Sequence, residues 1–406
     1  MNTDERPPRR RALLLENIHA GAAELLTAAG FEVETLKGAL DERDLAERLE
    51  DVDVLGIRSR TQLTEAVLEK SARLVAVGAF CIGTNQIDLA AASRSGVTVF
   101  NAPFSNTRSV VELVIAEIIA LTRRLTDKNA EMHTGVWSKS AAGAHEVRGR
   151  RLGIVGYGNI GSQLSVLAES IGMAVGFFDT ADRLALGNAR RFDSLEALLA
   201  WGDVITLHVD GRPDNRGLFG ESEFAAMRPG SLFLNLSRGF VVDHGALRAH
   251  IEAGHIAGAA VDVFFEEPAG DDRSFTSRLQ GLPNVILTPH IGGSTEEAQE
   301  DIGQFVAKKL ADYIRSGSTA LSVNMPNVDL PVRAGAHGLV HIHRNTPGVL
   351  AAINAIFADH RINIEGQALG TRRDIGYVIT DIASDYTDEM IGRLAHMDET
   401  IRLRVL

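Results

Sequence analysis

Leu152-Gly153-Ile154-Val155-Gly156-Tyr157-Gly158-Asn159-Ile160-Gly161 is the stretch that decides the fold. Leu152 to Val155 reads as a buried parallel strand, and Ser162 to Ile171 reads as the helix that follows it. A glycine hexad alone arises by chance in a Gly-rich chain; between a strand and a helix it is a dinucleotide turn. Gly156 permits the tight turn, Gly158 lets the backbone approach a pyrophosphate, and Gly161 allows close helix–strand packing. The N–H groups opening the helix, aided by its dipole, suit a dianion. The next strand, Ala174 to Phe178, ends on Asp179, which would accept hydrogen bonds from adenosine ribose hydroxyls and repel an added 2′-phosphate. Thr180-Ala181-Asp182 offers no arginine for that phosphate. The expected cofactor is therefore NAD rather than NADP.

Outward from this turn, four more strands are expected at Val204–Val209, Leu232–Leu236, Ala259–Val263 and Val285–Thr288. With the first two they make six parallel strands, with ligands at their carboxyl ends. Upstream, strand candidates Ala12–Leu15, Phe31–Leu36, Val52–Ile57, Leu74–Ala79 and Val97–Phe100 alternate with helical stretches, and Gly30 and Gly96 stand where helix C-caps belong. This predicts a second parallel α/β domain. Val110 to Leu125 reads as one long bridging helix, with Asn106 and Ser109 as candidate caps. Ser294 to Ile314 reads as a helix returning the chain to the first domain. The cofactor domain is then an insertion, and the cleft beside it the expected active site. Pro326 to Pro331 reads as an extended linker. Beyond it the pattern becomes βαββαβ, a ferredoxin-like module suited to binding or assembly. The expected division is a substrate domain over 1–104 and 294–330, a Rossmann domain over 105–293 and a C-terminal module over 335–406.

Three chemistry-bearing side chains follow three successive strands. Arg238, in Asn235-Leu236-Ser237-Arg238-Gly239, offers a planar fork to an α-carboxylate and polarises the neighbouring carbonyl. His290, in Thr288-Pro289-His290-Ile291-Gly292-Gly293, can take a proton from a substrate hydroxyl and return it to the carbonyl in reverse. Glu267 can accept from the other ring nitrogen and raise the histidine pKa; Glu266 is the competing carboxylate. Singly, each residue has a structural explanation; in this order, below a dinucleotide turn, they describe a hydride-transfer site. His208 is read as a structural or supporting histidine. His341 and His343 alternate on a strand without cysteines or clustered carboxylates, so no metal site is expected.

Composition sets the class. The chain has 406 residues, 45% of them hydrophobic and 23% charged, enough for two or three domains. A net charge of −12 argues against general nucleic-acid binding. The single cysteine, Cys81, excludes an intramolecular disulfide and is read as a small buried residue of a reducing compartment. Arg9-Arg10-Arg11 before Ala12–Leu15 lacks a following cleavage site and reads as a polar tail, and no stretch approaches a membrane span. The expectation is a cytoplasmic enzyme.

Further stretches carry a resemblance. Gly56-Ile57-Arg58-Ser59-Arg60-Thr61, Phe80-Cys81-Ile82-Gly83-Thr84-Asn85-Gln86, Asn101-Ala102-Pro103-Phe104-Ser105-Asn106-Thr107-Arg108-Ser109, Ser237-Arg238-Gly239, Asp262-Val263-Phe264 and Pro289–Ser294 resemble the D-isomer-specific 2-hydroxyacid dehydrogenases. The match is to their phosphoglycerate-oxidising branch, of the shorter type with one C-terminal ACT domain. The resemblance implies that Arg238, Glu267 and His290 are catalytic. It implies NAD contacts from Gly156, Gly158, Asn159, Ile160, Gly161, Asp179, Leu236, Ser237, Asp262, Gly292 and Gly293. It further implies that Arg58, Ser59, Arg60, Asn106 and Lys139 bind the substrate, with Lys37 as an additional candidate; for each lysine a solvated surface charge is the alternative. His343, Asn345 and Asn363 become candidates for binding L-serine between subunits. The implied activity is NAD-dependent oxidation of 3-phospho-D-glycerate, with side reduction of 2-oxoglutarate, in a homotetramer inhibited by serine. Family hinges often carry paired glycines where this chain has Ala334-Gly335-Ala336-His337-Gly338.

Overall fold

The computed structural model describes residues 10–268, 274–331, 337–383 and 386–406. The chain divides into two compact units, residues 1–105 with 299–406, and residues 106–298.

The first unit opens with five short strands, β1 (Arg11–Leu14), β2 (Glu32–Thr35), β3 (Val54–Ile57), β4 (Ala76–Ala79) and β5 (Thr98–Asn101). Between them lie α1 (Ala20–Ala28), α2 (Glu42–Arg48), α3 (Glu65–Lys70) and α4 (Leu89–Arg94). Side chains cap these helices as their types favour: Asp41 accepts from Asp44 N–H, Thr64 from Val67 N–H and Asp88 from Ala91 N–H. Gly30 and Gly96 follow α1 and α4 with φ of 93° and 66°, the left-handed geometry that closes a helix. The strands are parallel in the order β2-β1-β3-β4-β5, a doubly wound sheet.

The second unit begins with two helices where one was expected. α5 (Thr107–Arg123) and α6 (Leu125–His133) are separated by Arg124, which adopts a left-handed φ of 51°. Of the two expected caps, Asn106 takes the N-cap position of α5 and its main-chain oxygen accepts from Val110 N–H at 3.2 Å. Asn106 precedes α5 without a side-chain capping bond, and Ser109 lies inside the helix, its Oγ 2.9 Å from Thr295 Oγ1. The sheet follows: β6 (Arg151–Val155), α7 (Asn159–Ser170), β7 (Ala174–Phe178), β8 (Arg190–Arg191), α8 (Leu195–Trp201), β9 (Val204–Leu207), α9 (Glu221–Ala226), β10 (Ser231–Asn235), α10 (His244–Glu252), β11 (Ile256–Val261) and β12 (Val285–Leu287). It has seven parallel strands, not six, in the order β12-β11-β10-β9-β6-β7-β8. The unforeseen strand, β8, is two residues paired with Gly176 and Phe177 at the edge. The strand order reverses between β6 and β9, where a dinucleotide crevice belongs.

α11 (Glu296–Ser316) leads the chain back into the first unit. There β13 (His337–Arg344), α12 (Val349–Asp359), β14 (Ile364–Arg372), β15 (Ile375–Ile382), α13 (Asp388–Ala395) and β16 (Thr400–Val405) form a four-stranded antiparallel sheet ordered β14-β15-β13-β16. That is the ferredoxin-like arrangement expected from the βαββαβ pattern. The sheet does not stand apart. One continuous apolar core joins Leu14 and Val54 of the first sheet, Val306 and Leu310 of α11, and Val340 and Ile379 of the C-terminal sheet. Polar contacts reinforce the seam: buried Tyr377 donates its hydroxyl to Gly317 O at 2.6 Å, and Arg402 donates to Leu74 O at 2.5 Å. Residues 334–336 of the altered hinge segment lie outside the described residues.

Candidate active site

Three neighbouring strands, β10, β11 and β12, deliver Arg238, Glu267 and His290 from their carboxyl ends. After β12 the chain turns sharply, and His290 adopts a left-handed φ of 55°. Asp262, immediately after β11 and 1% exposed, holds that turn. Its carboxyl accepts from Thr288 Oγ1 at 2.6 Å and from the N–H groups of Ile291 and Gly292, both at 2.8 Å; its main-chain oxygen accepts from His290 N–H at 2.8 Å. A non-glycine left-handed residue is costly, and here four hydrogen bonds over-determine it.

With the turn so fixed, His290 Nδ1 lies 2.8 Å from Glu267 Oε2. The other carboxyl oxygen of Glu267 accepts from Phe264 N–H at 3.0 Å, which sets the carboxyl plane. Glu266, the competing carboxylate, is solvent-exposed. The hydrogen bond to Glu267 raises the His290 pKa, and the charges of Glu267 and Asp262 add to this against the opposing effects of burial and Arg238. Burial by itself would raise the Glu267 carboxyl, but the hydrogen bonds from His290 and Phe264 N–H, with the His290 and Arg238 charges, leave it below the ordinary value. The outcome is a histidine whose protonated form is favoured by its carboxylate partner, with Nδ1 engaged by Glu267.

Arg238 is positioned by Asn235, three residues before it at the end of β10. Asn235 Oδ1 accepts from Ser237 N–H and Oγ at 3.1 and 2.8 Å, while Asn235 Nδ2 donates to Arg238 O at 3.1 Å. The Asn-x-Ser spacing at a strand end was its local signal. Gly239 completes the turn. A Cβ there would stand 2.0 Å from the main-chain carbon of Phe264, so only glycine lets the arginine turn pack on the segment leading to Glu267. Leu236 and Ser237 are both buried under this turn.

The glycine turn has the geometry its residues require. Gly156 sits at φ 91° with its missing Cβ against His208 O, and Gly161 is similarly pressed on Gly156 O. A Cβ on Gly158 would meet nothing within 4 Å, so the backbone there is open to a ligand at the start of α7. A groove of about 340 Å³ runs past Tyr157, Gly158, Asn159 and Ser162 to Arg183, Leu184 and Leu186. Asp179 accepts from Tyr157 N–H at 2.7 Å and Ala181 N–H at 2.8 Å. Arg183, one residue beyond Thr180-Ala181-Asp182, lies 3.8 Å from Asp179. The cradle, the helix start and the acidic strand end fit a dinucleotide. Ile160 is half-buried at the start of α7. Gly292 sits 3.0 Å, by its would-be Cβ, from Asp262, and Gly293 packs tightly on Asn106. Asp262 itself is committed to the protein, beneath the loop rather than on its surface.

The remaining predicted residues fall in different places. Arg58, Ser59 and Arg60 follow β3 in the first unit; Arg58 is half-buried, the other two exposed. Lys37 is exposed in the same unit. Lys139 is exposed in the second unit, its Nζ 5.9 Å from the Trp137 ring centre. In the C-terminal sheet, His343 is 3% exposed and its Nδ1 lies 2.8 Å from Arg344 O. Asn345 and Asn363 are exposed, and Asn345 donates to Arg373 O at 3.0 Å. His208 Nε2 lies 3.0 Å from Thr206 Oγ1. Cys81 is half-buried rather than buried, because it packs at the loop after β4. Among the described residues there is no cluster of three or more metal-ligating side chains, and no helix long and apolar enough to cross a membrane.

Residues 115–292 match the NAD-binding domain of the D-isomer-specific 2-hydroxyacid dehydrogenases, and residues 339–402 match an AHAS small subunit-like ACT domain. The D-3-phosphoglycerate dehydrogenase of Escherichia coli K12 is 51% identical over 397 residues, covering 97% of both chains. That of Dictyostelium discoideum is 48% identical over 98% of this chain and 97% of its own. Among solved structures, the pyruvate reductase of Chlamydomonas reinhardtii superposes with a TM-score of 0.66 at 28% identity, over 76% of this chain and 97% of that one. A Staphylococcus aureus NAD-dependent formate dehydrogenase in complex with NAD gives 0.64 at 25% identity, over 75% and 95%. The chain belongs to the D-isomer-specific 2-hydroxyacid dehydrogenases, in their D-3-phosphoglycerate dehydrogenase branch.

Proposed function

We infer that the chain catalyses the reversible NAD-dependent oxidation of 3-phospho-D-glycerate to 3-phosphooxypyruvate, the first step of L-serine synthesis, with feedback inhibition by L-serine and a side reduction of 2-oxoglutarate to 2-hydroxyglutarate. The observation that carries this reading is the 2.8 Å hydrogen bond between His290 and Glu267, in a chain of this family.

Nδ1 of His290 is engaged by Glu267, so Nε2 faces the substrate and takes the hydroxyl proton during oxidation. Glu267 fixes the tautomer and stabilises the imidazolium that results. The bound nicotinamide supplies the hydride acceptor for the substrate C2. Arg238 holds the α-carboxylate and polarises the adjacent carbonyl in the reverse direction. Asn159, Ile160, Gly156, Gly158 and Gly161 cradle the pyrophosphate, and Asp179 selects NAD. Arg58, Ser59 and Arg60 grip the substrate phosphate, with Asn106 and Lys139 as further contacts. Functionally, residues 1–104 and 294–330 bind substrate, 105–293 bind NAD, and 335–406 regulate. The enzyme is a cytoplasmic homotetramer.

The test is NADH oxidation with 3-phosphooxypyruvate beside hydroxypyruvate and 2-oxoglutarate, with and without L-serine. A strong preference for the phosphorylated substrate and inhibition by serine are expected. Bound NADH without turnover of any of the three would instead indicate a sensing scaffold built on this fold.

His343, Asn345 and Asn363 form the serine site in this reading, since asparagine amides can both donate and accept to an amino acid's charged ends. The Asn345→Ala and Asn363→Ala proteins are expected to lose serine inhibition at least tenfold in affinity while keeping NADH turnover. An unchanged serine titration would remove these residues from the site.

A further inference from the structure

Glu16 lies in the turn two residues after β1 and plays no part in the chemistry described so far. It is 2% exposed, and both it and Asn17 adopt left-handed backbone, with φ of 61° and 54°. A pair of consecutive non-glycine residues in this region is unfavourable, and the surroundings must compensate for it. They do so through hydrogen bonds to distant segments. Glu16 N–H donates to Gly38 O at 3.1 Å and Asn17 N–H to Leu36 O at 3.3 Å, on either side of Lys37. The turn aims the Glu16 side chain under the loop after β3. There its Oε1 accepts from Arg58 N–H at 3.2 Å and Thr61 N–H at 2.8 Å, and its Oε2 accepts from Arg60 N–H at 2.9 Å. Gln86 Nε2 donates to Arg58 O from the other side.

A buried carboxyl that collects three backbone N–H groups from four consecutive residues makes charge-assisted hydrogen bonds and dictates the path of that backbone. The segment it dictates carries Arg58, Ser59 and Arg60.

We propose that Glu16 is a positioning residue for substrate recognition: it fixes the Arg58–Thr61 loop, and ties the Lys37 segment to it, so that the two arginines present to a phosphomonoester in a preset arrangement. The proposal rests on the reading that Arg58 and Arg60 hold the substrate phosphate. Glu16 touches no substrate itself. A neutral amide in its place keeps the volume but turns an N–H toward backbone donors, leaving at least one of them unsatisfied. The loop then loses its preset shape, and the cost falls on the phosphorylated substrate.

The experiment compares kcat/KM for 3-phosphooxypyruvate and hydroxypyruvate in wild type, Arg60→Ala and Glu16→Gln, together with hydrogen exchange of the 58–61 peptide. In wild type the phosphorylated substrate is preferred and the peptide exchanges slowly. Arg60→Ala and Glu16→Gln are each expected to lower the preference about ten- to a hundredfold, and only Glu16→Gln to speed the exchange of that peptide. Absence of a phosphate preference in wild type, or its survival in Arg60→Ala, overturns the parent reading. A preference lost in Arg60→Ala but intact in Glu16→Gln overturns the role of Glu16 alone. Fast exchange of the wild-type peptide also overturns it, without reliance on any variant's folding.

Discussion

Replacing His290 with alanine is expected to lower kcat by about two to four orders of magnitude, in both directions, while NADH affinity changes only a few-fold. Steady-state kinetics and fluorescence titration of NADH check the two halves. The asymmetry follows from the proposed division of roles: the imidazole would move the proton, whereas Asp262 holds the loop through Thr288 Oγ1 and the N–H groups of Ile291 and Gly292, none of which the substitution removes. Glu267→Gln should act through pH. The hydrogen bond to Glu267 is the largest cause of the raised His290 pKa, and burial opposes it. Without the carboxylate the histidine pKa falls. Reduction needs the protonated ring, so its activity is lost as pH rises through that pKa, and the loss should begin at lower pH in the variant. Oxidation needs the neutral ring, so its acid limb should move down by the same amount. A reductive limb that stays in place would separate Glu267 from the titration.

The second large effect concerns stability. Glu117 lies on the buried face of α5, 3% exposed, with neither carboxyl oxygen hydrogen-bonded among the described residues. Burial, with the nearby charge of Asp262, pushes its pKa up to about 8 from 4.5. Between those two values the folded protein retains a proton that the unfolded chain has released. Stability therefore falls as pH rises through the window, by about 1.4 kcal/mol per unit. Glu117→Gln keeps the shape and removes the titration. It is expected to leave the melting temperature near pH 5 little changed and to raise it by several degrees at pH 8.5. Thermal melts across pH at one scan rate test this. A variant that melts lower at pH 8.5 would mean that the wild-type carboxyl is ionised and paired.

What could be read before the structure was what neighbours in sequence decide. The glycine turn, Arg238, Glu267 and His290 follow strand ends, where short-range pattern and chemistry coincide. β8 could not be read, because two arginines carry no periodicity and pair only once Gly176 and Phe177 are beside them. The break at Arg124 was hidden because nothing about an arginine marks a left-handed residue. Asn106 takes the N-cap position that its type favours, but its side chain makes no capping hydrogen bond, a detail that residue type alone does not decide. Glu16 was invisible for a different reason: its partners are 42 to 45 positions away. Glu117 did carry a signal, an acid seven residues from Val110 on an apolar helical face.

The C-terminal sheet shares its interior with α11 and the first sheet, so the hinge segment is not its sole attachment. Tyr377 and Arg402 fasten it to Gly317 and Leu74, far from residues 332–336 in sequence. The module is therefore held by its own buried seam, and a change of composition in the connecting peptide leaves that seam's apolar contacts and its two side-chain-to-backbone bonds in place.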